Sequence, residues 1–317
     1  MRKIALILIF FCLSGCLESD KVQRIFGESM GTTYSINVLG DERVQKKAIN
    51  QRLDEINALF STWLPDSEIS RLNKAPVGEW IQVSDEFFQL LQISESVYLQ
   101  TNGFFDPGIG RLINLWGFGA EGGRTMAPGR GDINQAFENS SMQYVELGDG
   151  RVKKLRGAHF NLSAIAKGYA VDEIARLIED VGIKDFLVEI GGEVYASGTN
   201  DGDEWTIGVE RPDNKSPIAI SLFNTSVATS GNYRNYFIWE GEKYMHIFDP
   251  KTGLPANNDL ASVSVIHQSS ALADAYATAM MAIGSAGAIE LANELQLSVL
   301  LIAIKDDNYQ IIRINLE

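Results

Sequence analysis

Asp274 and Thr278 stand four residues apart in Ala271-Leu272-Ala273-Asp274-Ala275-Tyr276-Ala277-Thr278, a run of mostly small and apolar residues. On a helix their side chains share one face, one turn apart. A carboxylate and a hydroxyl so placed are hard oxygen donors, the kind Mg²⁺ takes together with substrate phosphate oxygens. A helix apolar nearly all round is expected to be buried, and a buried carboxylate needs something to compensate its charge. The structural alternative is that Asp274 caps a neighbouring loop and Thr278 bonds the carbonyl four residues back. Lys167 poses a second question. It lies in Leu162-Ser163-Ala164-Ile165-Ala166-Lys167-Gly168-Tyr169, in the first turn of a predicted helix. There a cation opposes the positive end of the helix dipole, a local conflict of the kind that often marks a site. Free N–H groups and a lysine together would hold an anion such as a pyrophosphate. A lysine pointing into solvent is the alternative.

The elements that must carry these residues can be read from periodicity. Ser269 or Ser270 can cap a helix that runs on to Gly284. Ser163 is the expected cap of the helix bearing Lys167, which reaches about Val181. Asp41 to Phe60 is predicted as an amphipathic helix with Ala48, Leu53, Ile56 and Phe60 inward. A second helix follows the Ser84 cap, with Phe87, Leu90, Leu91, Ser94 and Tyr98 along one side, and stops at Asn102-Gly103. Strands are predicted over the second half of 25–39, at 80–83, in a hairpin about Gly148-Asp149-Gly150, and at 186–190, 193–196, 205–210, 218–223, 236–239, 261–266, 297–304 and 311–314. Gly-rich 117–131 is expected to be a surface loop or the mouth of a site. Many strands on short turns, interrupted by several long helices, argue for an α+β fold with largely antiparallel sheets.

With 317 residues, 45% apolar and 21% charged, the chain is globular, enough for one large or two modest domains. The net charge of −14 and the lack of a basic block argue against a nucleic-acid partner. An anionic substrate gains no long-range steering, so a phosphate site must be built locally. Arg2-Lys3, the apolar run Ile4 to Leu13 and Leu13-Ser14-Gly15-Cys16 form a signal segment, residues 1–15, too short to span a bilayer. The last four residues resemble the bacterial lipobox, in which the cysteine, here Cys16, is lipidated. Cys12 and Cys16 are the only cysteines, so a chain cut before Cys16 has no internal disulfide and relies on its core. Residues 16–24 are then a lipidated tether and 25–317 the working domain.

Met30-Gly31-Thr32-Thr33-Tyr34, the segment 162–169, His246-Ile247-Phe248-Asp249-Pro250-Lys251-Thr252-Gly253 and Ala273-Asp274-Ala275 through Thr278 together resemble the motifs of the ApbE-type FAD:protein FMN transferases. They follow that family's order over roughly residues 25–315. The resemblance implies an ApbE-like, T-fold-related architecture and an enzyme that transfers the FMN half of FAD to a Thr or Ser hydroxyl of a protein, releasing AMP. It implies Mg²⁺ held by Asp274, Thr278 and the Ala164 carbonyl, with Ala277 as a further backbone donor. Its FAD contacts fall on Met30, Trp63, Phe104, Phe105, Asp106, Asn161, Lys167 and Phe248, and His246 matches the histidine beside the pyrophosphate. Such a transfer needs charge neutralised and reactants aligned. Mg²⁺, Lys167 and the helix N-terminus at Ser163 would supply positive potential, and His246 or Asp249 would serve as base toward the hydroxyl. Trp63 and Phe248 offer flat apolar faces to a ring system, or else pack as core aromatics.

The sequence departs from the family at Asn161, where Asp is usual, at Glu193 after Gly191-Gly192, where Asp is commoner, and at Trp63, often Tyr. An aromatic clamp at Trp63 would favour transfer over hydrolysis. The implied acceptors are subunits of the sodium-translocating NADH:quinone reductase and of Rnf-type complexes. The implied location is the periplasmic side of a bacterial membrane, with the inner membrane expected to hold the lipid anchor. A Mg²⁺-dependent FAD pyrophosphatase and a non-catalytic flavin-binding lipoprotein are the alternative functions.

Overall fold

Eight antiparallel strands form one sheet in which spatial order follows chain order. They are β1 (Val22–Ser29), β2 (Thr32–Leu39), β3 (Phe186–Ile190), β4 (Glu193–Ser197), β5 (Thr225–Gly231), β6 (Leu260–His267), β7 (Ser298–Lys305) and β8 (Asn308–Ile314). The computed structural model describes residues 22–123, 126–232, 236–306 and 308–316. The signal segment, Cys16 and most of the expected tether lie outside the described residues. β1 starts at Val22, inside the stretch read as tether.

The functional elements are insertions in this meander. Between β2 and β3 come the helices Lys46–Phe60, Asp85–Gln100 and Ser163–Asp180 and a small three-stranded sheet; between β6 and β7 comes the helix Ser270–Ile283. Period-2 alternation separates the two sides of the sheet. Phe186, Val188, Ile190 and Ala228 join the main core beneath the helices. Val194, Ala196 and Val227 instead pack on Trp205 and Leu222 of a hairpin on the other face. The α+β class and the antiparallel pairing are as the sequence predicts.

Several elements differ from expectation. The first helix begins at Lys46 rather than Asp41 and buries Ile49 rather than Ala48. The second buries Val97, with Tyr98 only partly covered. Short helices at Glu68–Lys74, Gly110–Leu115 and Arg130–Phe137 lie where no element is predicted, the last beginning at the end of the Gly-rich stretch. Strand β5, Thr-Ser-Val-Ala-Thr-Ser-Gly, has little strand propensity, yet it pairs with β4 and β6 in the middle of the sheet. Sheet context overrides propensity there. Its hydroxyls are satisfied laterally, Thr229 to Ser264 at 2.8 Å and Ser226 to the His267 carbonyl at 2.7 Å.

Candidate active site

The Ser163–Asp180 and Ser270–Ile283 helices cross at a glycine. A Cβ on Gly168 would lie 2.2 Å from the Ser270 carbonyl oxygen, so only glycine permits this approach. One turn further along, Asp172 accepts from Ser269 Oγ (2.8 Å), Ser270 N (2.7 Å) and Ala271 N (3.0 Å). It thereby satisfies N–H groups that the start of the second helix leaves unpaired, next to the Ser269 cap. At the start of the first helix Ser163 is not the cap. The Asn161 side chain accepts from Ser163 N at 2.9 Å instead.

This crossing sets Lys167 against Asp274. Asp274 is 3% exposed, and its Oδ2 accepts from Gly168 N at 3.1 Å. In a regular helix that N–H would bond the Ala164 carbonyl, so Asp274 competes with the carbonyl for the proton. Thr278 lies one turn on, its Oγ1 3.1 Å from Ser230 Oγ of β5. Lys167 Nζ is 2.6 Å from Glu193 Oε1 and 3.9 Å from Asp274 Oδ1. Burial pushes the Glu193 carboxyl up to about 7 despite Lys167. Burial likewise raises Asp274, against Lys167 and the Gly168 N–H. For Lys167 burial favours the neutral form, but Asp274 and Glu193 outweigh it and hold the ammonium above its ordinary value.

These groups line a cavity of about 650 Å³ beside the Gly191-Gly192 turn; the cavity also takes in Ile207, Gly208 and Val209 of the hairpin that carries Trp205. Among the predicted site residues Phe104, Phe105, Asp106, Asn161, Ala164, Lys167, His246, Phe248, Asp274 and Thr278 line it. Phe118 from the Gly-rich segment joins them, 6.3 Å from the His246 ring and 6.0 Å from Phe248. Phe248 is buried against Trp116 and Phe118 and has one part at the cavity wall, so its core and site readings hold together.

Four predicted residues stand elsewhere. Trp63 is 68% exposed and lies outside the cavity lining. Ala277 is fully buried and away from the lining. Met30 occupies the left-handed region in the β1–β2 turn. It packs, partly buried, against the main core and lies outside the cavity lining. Asp249 uses its carboxylate within its own turn, accepting from Lys251 N at 2.8 Å and Thr252 Oγ1 at 3.0 Å. His246, by contrast, lines the cavity. Asp106 lines the cavity, but its carboxylate accepts from Gly108 N, Met142 N and Ser141 Oγ at 2.7–2.8 Å and pins the loop wall.

Glu193 and Ser230 are site residues that sequence reasoning did not place. Glu193 had a weak signal, a carboxylate directly after a glycine pair; Ser230 sits in the strand that went unread. Oxygen donors at this wall are the Asp274 carboxylate and the Thr278 and Ser230 hydroxyls, with Ala164 in the same lining and Glu193 taken up by Lys167. Among the described residues no three of His, Cys, Asp and Glu form a metal cage. This donor set suits Mg²⁺, which keeps much of its shell from water and phosphate.

The ApbE family pattern matches residues 30–301. The FAD:protein FMN transferase of Vibrio cholerae is 36% identical over 94% of this chain and 92% of its own, and that of Haemophilus influenzae 34% over 93% and 90%. The structure of the flavin transferase ApbE from Vibrio cholerae superimposes with a TM-score of 0.86 at 33% identity, covering 92% of this chain and 97% of that one. The apo flavinyl transferase ApbE of Pseudomonas stutzeri gives 0.86 at 30% identity. The family pattern spans the residues that line the cavity, the relatives and solved folds cover nearly the whole chain, and this protein belongs to the ApbE family.

Proposed function

We propose that this ApbE-family enzyme binds FAD in the cavity beside Asp274 and transfers its FMN half to a Thr or Ser hydroxyl of an acceptor protein, releasing AMP. The observation that carries the reading is the meeting of an anion-compensating lysine with a carboxylate–hydroxyl pair on one wall of a cavity sized for a dinucleotide. Asp274 and Thr278, with the Ala164 carbonyl, would hold Mg²⁺, which supplies positive charge to the phosphates when bound. Lys167 and the start of the Ser163–Asp180 helix add potential of the same sign. Phe104 and Phe248 offer ring faces to the flavin or adenine. His246 takes the proton from the attacking hydroxyl.

The acceptors we propose are subunits of the sodium-translocating NADH:quinone reductase and Rnf-type complexes, reached from a lipid anchor at Cys16 on the periplasmic side. No helix among the described residues is long and apolar enough to cross a membrane. Incubating soluble 17–317 with FAD, Mg²⁺ and an acceptor domain tests the reading. Covalently flavinylated acceptor with stoichiometric AMP supports it. Free FMN with AMP would make the enzyme a pyrophosphatase, and unchanged FAD would leave only binding.

A further inference from the structure

We infer that Glu193 is a positioning residue that holds the Lys167 ammonium off Asp274, keeping the Asp274 carboxylate open to a divalent cation. This rests on the cation reading of Asp274 given above. Two buried carboxylates face one ammonium, and the split between them is uneven. Nζ is at 2.6 Å from Glu193 Oε1, a charge-assisted hydrogen bond, and at 3.9 Å from Asp274 Oδ1, beyond hydrogen-bond range.

The environments explain the asymmetry. Glu193 is 2% exposed, and its Oε2 is buried with no hydrogen-bond partner. Its charge therefore depends on Lys167, and a buried carboxylate that loses its cation is strongly destabilising. Asp274 does not depend on Lys167 in the same way, because its Oδ2 takes the Gly168 N–H. The ammonium settles on the carboxylate with the greater need, at the start of β4, and Oδ1 on the helix keeps no hydrogen-bonded cation. Without the Glu193 charge, Nζ has about 1 Å to travel before it pairs directly with Asp274. It would then compete with a divalent ion for the same oxygen.

A double-mutant cycle separates this lock from a simple charge effect. Mg²⁺ affinity is measured by titration calorimetry on the full-length protein in detergent, without FAD, for the parent, E193Q, K167M and E193Q/K167M. Gln is isosteric with Glu and Met matches the lysine stem, and unchanged circular dichroism checks the fold. The lock predicts that E193Q weakens Mg²⁺ binding by about tenfold when Lys167 is present and by less than about twofold in the K167M background. Equal weakening in both backgrounds would show Glu193 acting as a ligand or by its own field, and would overturn the inference. No weakening in either would overturn it too. Absence of Mg²⁺ uptake by the parent and by K167M alike would remove the cation reading itself, a distinct result that takes the lock with it. A crystal structure of metal-free E193Q gives a second readout. Nζ within about 3 Å of Asp274 is expected, and an unmoved Nζ contradicts the lock.

Discussion

Gly168 and Ser270 meet backbone to backbone. A Cβ on Gly168 would sit 2.2 Å from the Ser270 carbonyl oxygen and 2.8 Å from Ala271 Cα. The contact fixes how closely the lysine-bearing and aspartate-bearing helices approach, and with it the Gly168 N–Asp274 Oδ2 bond. Gly168→Ala must push the helices apart, because backbone cannot yield as a side-chain tip does. The expected loss is about 1–3 kcal/mol of stability, with a disproportionate fall in turnover. Urea denaturation and flavinylation assays on the same preparation check both.

Asp172 ties the same pair of helices one turn further along through three charge-assisted hydrogen bonds. Asp172→Ala leaves those donors unpaired and should cost about 2–3 kcal/mol. Asp172→Asn should recover part of it. The midpoint of urea unfolding at constant slope is the measurement.

Burial raises the Asp106 carboxyl to about 6, against the hydrogen bonds from Ser141, Gly108 and Met142. From its ordinary value of 3.8 up to about 6 the folded protein keeps a proton that the unfolded chain has lost. This contribution to stability is therefore present at low pH and is lost as pH rises through that window. It amounts to about 2–3 kcal/mol. His159, lowered to about 4 chiefly by burial, acts in the opposite sense, since the unfolded chain takes up its proton first. The informative quantity is thus the difference between parent and Asp106→Asn. Stability of the parent relative to the variant should fall between pH 4 and pH 6, as read from thermal melts at half-unit steps.

Asp274→Ala should cut turnover by about a hundredfold or more and abolish Mg²⁺ binding by calorimetry. The fold should persist, since Glu193 still pairs with Lys167. A variant that retains full activity would refute the assignment of Asp274.

His246→Asn should lower kcat by about 10²–10⁴ with little change in KM for FAD, because the ring lies at the cavity wall near Phe118. An equal effect from Asp249→Asn in a protein of unchanged melting temperature would return Asp249 to the role of base. Its turn-bound carboxylate predicts a loss of stability instead.

The local patterns that stood in the sequence were those set by near neighbours. The i, i+4 relation of Asp274 and Thr278, the caps at Ser269 and Ser84, and the two-residue Asp149-Gly150 turn, both residues at positive φ, depend on a few consecutive residues and survive folding unchanged. The motifs at 162–169 and 246–253 were legible for the same reason. What tertiary structure alone decided are relations between residues far apart in the chain. Strand β5 has little strand propensity and is held as a strand by its partners, so Ser230 could not be placed in the site beforehand. Asp249 and His246 stand three residues apart in one motif, yet only the folded turn engages the carboxylate with its own backbone and leaves the imidazole at the cavity. The pairing of Lys167 with Glu193 rather than Asp274 was likewise beyond reach. It is a competition between two burials, settled by a difference of about an ångström across elements that meet only when the sheet is complete.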